Sequence, residues 1–256
     1  MALAHAIGEH LPYLRRYARA LTGSQKSGDA YVRACLEAIV ADTSVLGTDL
    51  TPRVALYRLF HRLWDTTSLD ARSSAGVAAS DNVEKRLKEL TPAHRQALLL
   101  TAMEGFSPAD TARVLDVPED QVKTMTSQAV REISSQPVTN VLIIEDEPII
   151  SLDLQSIVRE MGHNVVATAT TRDEAVREAR RTEPGLVLAD IKLADGSSGI
   201  DAVRQILSEV EVPIVFITAY PERLLTGERP EPTFLVTKPF VPETVRVAIS
   251  QALLFA

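Results

Sequence analysis

Short apolar runs alternate with segments of helical periodicity from residue 140 to the end of the chain. The runs lie in the stretches VLIIE, HNVVATA, GLVLAD, VPIVFIT and TFLVTK, and helical patterns follow over residues 148–161, 172–181, 199–209, 221–226 and 241–254. Strands that are apolar at every position are typical of a parallel sheet covered by helices on both faces. The pattern therefore predicts a doubly wound α/β domain over residues 138–256, with its functional site at the carboxyl ends of the strands.

The first half of the chain shows helical periodicity alone. Apolar side chains at helical spacing predict helices over residues 3–22 and 29–41. A third helix is expected to begin with Thr51 as its N-cap and Pro52 as its first residue, because the first helical position needs no backbone N–H donor. The stretch 66–80, which is rich in serine, alanine and glycine, then predicts a linker.

Residues 81–133 repeat these helix-start signals. Helices are predicted to begin at Asp81, Thr91-Pro92, Ser107-Pro108 and Val117-Pro118-Glu119. The last two helices are separated by a tight turn at 115–117, which is the spacing of a helix-turn-helix. With a second linker at 134–139, the chain is predicted to consist of an all-α domain over residues 1–137 followed by the α/β domain.

Charge is distributed unevenly between the two predicted domains. Residues 1–137 contain 16 basic and 16 acidic side chains, whereas residues 138–256 contain 11 and 18, so the net charge of −7 belongs to the second domain. An acidic chain argues against strong non-specific attraction to nucleic acid or to an anionic membrane. The contrast also supports two separate modules.

The chain has one cysteine, Cys35, so neither a disulfide nor a thiolate metal site can form within it. Its amino terminus lacks a charged start followed by a long apolar run, and no stretch approaches the ~20 apolar residues that span a bilayer. We therefore expect a cytoplasmic protein without a membrane partner.

Acidic, hydroxyl and basic side chains stand at the ends of the predicted strands. Glu145 and Asp146 end the first strand, Asp190 the third, Thr218 the fourth and Lys238 the fifth. Because the carboxyl ends of these strands converge in a doubly wound sheet, three carboxylates are expected in one cleft. Ionised carboxylates so close together need a cation, and hard oxygen ligands favour Mg²⁺.

These residue types suit phosphoryl transfer. Asp190 is the best candidate nucleophile because it stands alone at the end of the central strand, while Lys238 and Thr218 could contact the phosphoryl oxygens. Two other interpretations are weaker. Acids that served only as helix N-caps would leave Lys238 and Thr218 unexplained. A hydrolytic aspartyl-phosphate enzyme needs an acid two residues beyond the nucleophile, where this chain has Lys192.

With these residues in this order, the second domain resembles the response-regulator receiver family, whose fold is flavodoxin-like. The resemblance implies that Asp190 accepts a phosphoryl group from a histidine kinase. It implies that Glu145, Asp146 and Asp190 bind Mg²⁺, and that the backbone carbonyl of Lys192 is a further metal ligand.

The same resemblance makes Thr218 the switch hydroxyl and Lys238 the lysine of the family, followed by a bond to Pro239 that is often cis in receivers. Many receivers have an aromatic residue three positions before that lysine, where this chain has Leu235. An aromatic residue, Tyr220, stands just after Thr218 instead. We therefore expect Tyr220 to take over the signalling role.

Residues 81–133 resemble region four of the extracytoplasmic-function sigma factors, and residues 1–65 resemble region two; we call them the region-four-like and region-two-like segments. The predicted recognition helix, 119–132, has two basic and three acidic side chains, namely Lys123, Arg131, Glu119, Asp120 and Glu132. The family's basic positions are here Met125, Thr126, Ser127, Gln128 and Ala129, whereas the packing positions are kept as Val114, Leu115, Val122 and Val130. A net acidic helix is poorly suited to a DNA groove, so no DNA partner is expected.

Over its full length the chain resembles the PhyR-type general stress response regulators. The resemblance implies that phosphorylation of the receiver domain frees the sigma-like domain to sequester an anti-sigma factor of the NepR type, which releases the sigma factor. We therefore expect an anti-anti-sigma regulator and not an enzyme. The alternative is a DNA-binding transcriptional response regulator, which the charge of the predicted recognition helix disfavours.

Overall fold

The computed structural model describes residues 2–47, 49–74, 92–133, 137–193, 195–221 and 234–254. The chain divides into two units, Met1–Glu132 and Ile133–Ala256, which we call the helical unit and the sheet unit. They correspond to the predicted all-α and α/β domains, and the division lies close to the boundary predicted between residues 137 and 138. Among the described helices, none has both the length and the apolarity that crossing a bilayer requires.

The described part of the helical unit consists of helices and the turns between them. They are α1 (Ala2–Gly8), α2 (Leu11–Thr22), α3 (Gln25–Ala41), α4 (Pro52–Ser74), α5 (Pro92–Leu98), α6 (Pro108–Leu115) and α7 (Glu119–Ile133). A 3₁₀ turn at Thr43–Leu46 follows α3, and a π-helix at Leu99–Met103 follows α5. The predicted starts of α4 to α7 are confirmed, whereas the start predicted at Asp81 lies outside the described residues.

Helix α4 begins as predicted but is longer than expected. The N–H of Val54 lies 3.4 Å from the Oγ1 of Thr51, which is the predicted N-cap contact. The helix continues through Ser74, so the linker predicted from residue 66 is wrong for residues 66–74. Extending an existing helix needs no new nucleus, so residues that would not start a helix can still continue one.

Gly28 allows α2 and α3 to approach each other closely. A Cβ atom at residue 28 would lie 2.8 Å from the backbone nitrogen of Arg19 and 2.9 Å from the carbonyl carbon of Ala18. Both atoms belong to the backbone of α2, which cannot rotate away as a side chain could. The distance between the two helices therefore depends on a residue without a side chain.

We expect Gly28→Ala to lower the free energy of unfolding of the helical unit by about 1–3 kcal/mol, because the added methyl group overpacks the contact. Unfolding in urea can be followed by the fluorescence of Trp64, the one tryptophan of the chain, which lies in α4. Gly8→Ala is the matched control, since no atom lies within 4 Å of a Cβ built at residue 8. Equal shifts in the two variants would contradict this explanation.

Helices α6 and α7 form the predicted helix-turn-helix, with Asp116 in the left-handed conformation at the turn. The predicted packing role of Val122 is confirmed, but that of Val130 is wrong, because its side chain is 40 % exposed. Met125 and Ala129 are buried instead. These positions lie three and seven residues after Val122 and therefore share its face of the helix, whereas Val130 is turned away from it.

The sheet unit contains five parallel strands flanked by helices. The strands are β1 (Asn140–Ile144), β2 (Asn164–Ala169), β3 (Leu186–Ala189), β4 (Ile214–Thr218) and β5 (Phe234–Thr237), and the described helices are α8 (Pro148–Glu160), α9 (Arg172–Thr182), α10 (Gly199–Leu207) and α11 (Pro242–Leu254). The strand order is β2-β1-β3-β4-β5, as a doubly wound fold requires. The helix predicted over 221–226 lies almost entirely outside the described residues.

The central strands are buried on both faces, as their continuous apolar sequences predicted. All four residues of β3 are buried, and so are the last four residues of β1. Because β1 lies between β2 and β3, the chain leaves β1 in one direction across the sheet and later continues in the other. Such a reversal opens a cleft at the carboxyl ends of β1 and β3.

Candidate functional site

The strand ends bring together most of the residues that were predicted from the sequence. Glu145 follows β1, Asp190 follows β3, Thr218 ends β4 and Lys238 follows β5. The backbone N–H of Asp190 donates to the carbonyl of Ile144 at 2.9 Å, and that of Lys238 donates to the carbonyl of Thr218 at 2.8 Å. Hydrogen bonds of the sheet type therefore continue past the strand ends and position both functional side chains.

Lys238 lies at the centre of the cleft. Its Nζ is 2.8 Å from Glu145 Oε2, 2.8 Å from Asp190 Oδ2 and 3.3 Å from Glu147 Oε1. Burial lowers the pKa of Lys238, but the hydrogen bonds to Asp190 and Glu145 outweigh burial, so the pKa is raised above its usual value. The ammonium group is therefore held charged between carboxylates. The peptide bond to Pro239 is cis, as expected from the resemblance.

Glu145 is buried and carries an unfavourable negative charge. Burial raises its pKa to about 7; Lys238 opposes this shift and the charge of Asp190 adds to it. One oxygen of the carboxylate, Oε1, accepts a hydrogen bond from the backbone N–H of Glu147 at 3.2 Å. The single ammonium group of Lys238 thus leaves excess negative charge in the cleft, which a bound cation would neutralise.

The carboxylates that come together are not the predicted set. Among the described residues, Glu145, Glu147 and Asp190 each offer an oxygen within 4.8 Å of the others, and Asp146 is not a member of this group. Residue 147 has an extended backbone, and its N–H donates to Glu145 Oε1 at 3.2 Å. The role of Asp146 stays a prediction. Glu147 was not among the predicted residues, although it belongs to the run of three acids after β1.

Hard carboxylate oxygens at this spacing suit Mg²⁺. Receiver domains as a family bind this ion, and the group formed by Glu145, Glu147 and Asp190 offers such ligands. The backbone of Lys192, predicted to supply a carbonyl ligand, forms an isolated antiparallel bridge with Ser198. Its role in metal binding stays a prediction.

Asp190 is held in a tight loop. Its side chain is almost fully buried, and its Oδ1 accepts a hydrogen bond from the backbone N–H of Ile191. Gly199, the first residue of α10, packs against it: a Cβ built at residue 199 would lie 1.7 Å from the carbonyl oxygen of Asp190. The backbone N–H of Gly199 donates to the carbonyl of Ile191 at 2.8 Å. Gly199 therefore positions the loop that contains Asp190, which the sequence alone did not indicate.

We expect Gly199→Ala to displace the Asp190 loop and to slow phosphoryl transfer from acetyl phosphate by about 100-fold, since small misplacements of reacting groups have effects of that size. The extent of phosphorylation over time, measured by intact mass, provides the test. Gly185→Ala is the matched control, because a Cβ there would meet the side-chain Oγ1 of Thr139, which can rotate away. A phosphorylation rate for Gly199→Ala equal to that of wild type would refute the positioning role.

Thr218 and Tyr220 are linked through the backbone. Thr218 is fully buried, and its Oγ1 accepts a hydrogen bond from the N–H of Tyr220 at 3.2 Å. Tyr220 as a residue is 38 % exposed, and the Nζ of Lys192 lies 5.8 Å from the centroid of its ring. A reorientation of the Thr218 hydroxyl would therefore change a contact of the Tyr220 backbone.

The solvent-facing side of α7 has little free positive charge. Glu119, Asp120, Lys123 and Arg131 are all exposed. The Nζ of Lys123 lies 3.6 Å from Glu119 Oε1, which offsets one of the two basic groups. This surface lacks the concentrated positive charge with which a DNA-reading helix contacts phosphates.

Profiles of known protein families match both units. The sigma2 domain of PhyR matches residues 7–61, the sigma-like domain of the response regulator PhyR matches 87–136, and the response regulator receiver domain matches 141–250. These matches correspond to the region-two-like segment, the region-four-like segment and the predicted receiver domain.

Full-length relatives are similar to the whole chain. The phyllosphere-induced regulator PhyR of Methylorubrum extorquens is 52 % identical over 100 % of this chain and 96 % of its own length. The crystal structure of the response regulator PhyR from Brucella abortus is 49 % identical, covers 100 % of this chain and 95 % of that one, and has a TM-score of 0.85. The anti-anti-sigma factor PhyR from Bartonella quintana is 49 % identical over 99 % and 96 % of the two chains, with a TM-score of 0.86.

Proposed function

This chain belongs to the PhyR family of anti-anti-sigma response regulators, and from that premise we propose that phosphorylation of Asp190 controls the binding of an anti-sigma factor by its helical unit. One observation carries the proposal: the ammonium group of Lys238 bridges Glu145 and Asp190 at the carboxyl edge of the sheet. The anti-sigma factor would be of the NepR type, as the full-length resemblance implies.

The chemical step is phosphoryl transfer to Asp190. A carboxylate oxygen of Asp190 forms a bond to phosphorus while the bond from phosphorus to the donor atom breaks and its electron pair leaves with the donor. A phosphohistidine of a histidine kinase is the proposed donor. Lys238 is proposed to pair with a phosphoryl oxygen as negative charge develops there, and its ion pair with Asp190 Oδ2 supports this role.

Glu145, Asp146, Asp190 and the carbonyl of Lys192 are proposed to hold the metal, with Glu147 as an additional carboxylate beside them. When bound, Mg²⁺ supplies positive charge to the phosphoryl oxygens. The excess negative charge around the buried Glu145 supports this assignment, because that charge needs neutralising before a phosphoryl group can approach.

Signalling is proposed to pass through Thr218 and Tyr220. A Thr218 hydroxyl that turns to donate to a phosphoryl oxygen changes its contact with the N–H of Tyr220, which it accepts at 3.2 Å in the unphosphorylated chain. The protein then acts by a shift in population between two conformations that differ in affinity for the partner, and not by turnover of a substrate.

The test is a binding titration of the full-length protein with a NepR-type anti-sigma factor, with and without beryllofluoride. We expect affinity to rise with beryllofluoride, and equal affinity in both conditions would refute the proposal. A promoter-fragment shift assay distinguishes the alternative: specific, salt-sensitive DNA binding by the activated protein would support a DNA-binding regulator instead. The ion pair between Lys123 and Glu119 on α7 favours binding of the anti-sigma factor over binding of DNA.

We expect Tyr220→Ala to keep phosphorylation by acetyl phosphate but to lose most of the gain in partner affinity, about 10-fold or more, because the Thr218 movement no longer repositions a ring. Tyr220→Phe is the conservative control, which keeps the ring and should retain the gain. An unchanged gain in Tyr220→Ala would show that the signal leaves Thr218 by another residue.

A further inference from the structure

A fully buried carboxylate, Glu104, lies where the two segments of the helical unit meet. It follows the π-helix in the region-four-like segment, and its side chain has no exposed surface. Its Oε1 accepts hydrogen bonds from Arg16 Nε at 3.1 Å and Arg16 Nη2 at 2.9 Å. Its Oε2 accepts a hydrogen bond from the hydroxyl of Tyr57 at 2.8 Å. We call Arg16, Tyr57 and Glu104 the Glu104 network.

Every donor of the Glu104 network lies in the region-two-like segment. Arg16 belongs to α2 and Tyr57 to α4, and they are separated from Glu104 by 88 and 47 residues in the sequence. The network is also almost completely shielded from solvent, since the side chain of Arg16 is only 6 % exposed. Its hydrogen bonds therefore connect the two sigma-like segments and do not stabilise either segment by itself.

Neighbouring contacts connect the same two segments. Arg16 Nη2 also donates to the carbonyl of Met103 at 3.3 Å, and the guanidinium of Arg53 lies 4.2 Å from the ring centroid of Phe106. Arg95 of α5 donates to the carbonyl of Ala20, near the end of α2, at 2.6 Å. Polar contacts are thus made at several points along the boundary between the segments.

Buried ion pairs of this kind are costly to separate, even where they add little net stability. A well-packed apolar replacement for a buried ion pair is often as stable as the pair, whereas separating the partners leaves an uncompensated charge in the interior. Any rearrangement that moves Glu104 from Arg16 and Tyr57 is therefore strongly disfavoured. The region-four-like segment can slide or tilt on α2 and α4 only by breaking these bonds.

We infer that the Glu104 network holds the two sigma-like segments in one fixed arrangement, so that the anti-sigma partner meets a single preformed surface spanning both, with Glu104 as the positioning residue. The inference rests on the proposed function. A partner that binds across two segments binds more tightly when their relative position is fixed beforehand, because less conformational freedom is lost on binding.

The experiment compares three variants of the full-length protein with beryllofluoride present and a NepR-type anti-sigma factor as the probe. Glu104→Gln leaves Arg16 without a charged partner and should lower both stability and partner affinity, the latter about 10-fold. The triple variant Arg16→Met with Tyr57→Phe and Glu104→Met removes every polar side chain of the Glu104 network and should recover unfolding stability, as apolar replacements of buried pairs do, but not the affinity. Because this variant is expected to fold, it tests the inference even if Glu104→Gln does not fold.

Asp29→Asn is the matched control. It disrupts an ion pair with the buried Arg19, at 2.8 Å, that lies wholly within the region-two-like segment. We expect lower stability with wild-type affinity. Wild-type affinity in a stable Arg16→Met/Tyr57→Phe/Glu104→Met variant would overturn the inference and leave the network a purely structural role.

Amide hydrogen exchange separates this inference from the proposed function. In Glu104→Gln, exchange at residues 99–106 is expected to accelerate at least 10-fold relative to α3, with no partner added. Failure of the wild-type protein to bind the anti-sigma factor would refute the proposed function, while accelerated exchange would still support fixation of the segments. Unchanged exchange would contradict the inference whether or not the partner binds.

Discussion

Asp190→Asn should abolish both phosphoryl incorporation and the gain in anti-sigma affinity produced by acetyl phosphate. An amide is not a usable nucleophile toward phosphorus. Among the described residues, the other carboxylates that meet in the cleft belong to Glu145 and Glu147, which follow the neighbouring strand β1 and are proposed to serve the metal. Intact mass after incubation with acetyl phosphate and Mg²⁺ measures incorporation, and a binding titration under the same conditions measures the gain.

Asp201→Asn is the control for this result. Asp201 is an exposed acid of α10 in the same unit, and its side chain is 56 % exposed. Its replacement should leave incorporation and affinity gain at wild-type levels. Phosphorylation of Asp190→Asn at the wild-type rate would mean that another residue is the acceptor, and the assignment of the whole cleft would have to be abandoned.

Acid should destabilise the helical unit through His61. Its ring is buried, its Nε2 lies 2.7 Å from the hydroxyl of Tyr17, and burial lowers the pKa of His61 from 6.5 to about 3. Above pH 6.5 the histidine is neutral in both states and has no effect. As the pH falls from 6.5 to 3 the unfolded chain binds a proton that the folded chain refuses, so stability falls by about 1.4 kcal/mol per pH unit, ~5 kcal/mol in all.

The measurement is urea unfolding followed by Trp64 fluorescence at intervals between pH 7 and pH 4. His61→Gln should be less stable than wild type at pH 7 but should show a much shallower loss of stability toward low pH. His5→Gln, at an exposed histidine whose side chain is 83 % accessible, should keep the wild-type dependence. If His61→Gln and wild type lost stability in parallel, protonation elsewhere would be responsible.

The meeting of Asp190, Thr218 and Lys238 could be predicted because the carboxyl ends of parallel strands lie at the same edge of a sheet, whatever the connections between the strands. Asp190, Thr218 and Lys238 were identified by their positions directly after apolar runs, with no knowledge of side-chain geometry. The proximity of a Glu147 oxygen to oxygens of Glu145 and Asp190, within 4.8 Å, could not be predicted in this way. It depends on the direction of the backbone after β1, which hydrogen bonds such as that from the Glu147 N–H to Glu145 determine.

The family could also be identified from the sequence, because the receiver residues and the net acidic recognition helix are both local sequence patterns. Which side of α7 is buried was harder to predict from the sequence. Val130 was taken for a packing residue and Met125 for a lost DNA contact, but which face of a short helix is buried depends on where its neighbours lie. Apolar composition alone does not decide that.

The sequence by itself determined three features of this protein. They are its division into a helical and an α/β domain, the positions of Asp190, Thr218 and Lys238 at the ends of strands, and the lack of net positive charge on the predicted recognition helix. These follow from periodicity and from residues near each other in the chain. Only the tertiary structure decided that Asp190 is packed against Gly199, and that Glu104, an acid after an apolar run, is buried between Arg16 and Tyr57. The physical reason is that a charge can be buried only where oppositely charged or hydrogen-bonding groups compensate it. For Glu104 these groups come from parts of the chain that are distant in the sequence, so no local sequence pattern reveals them.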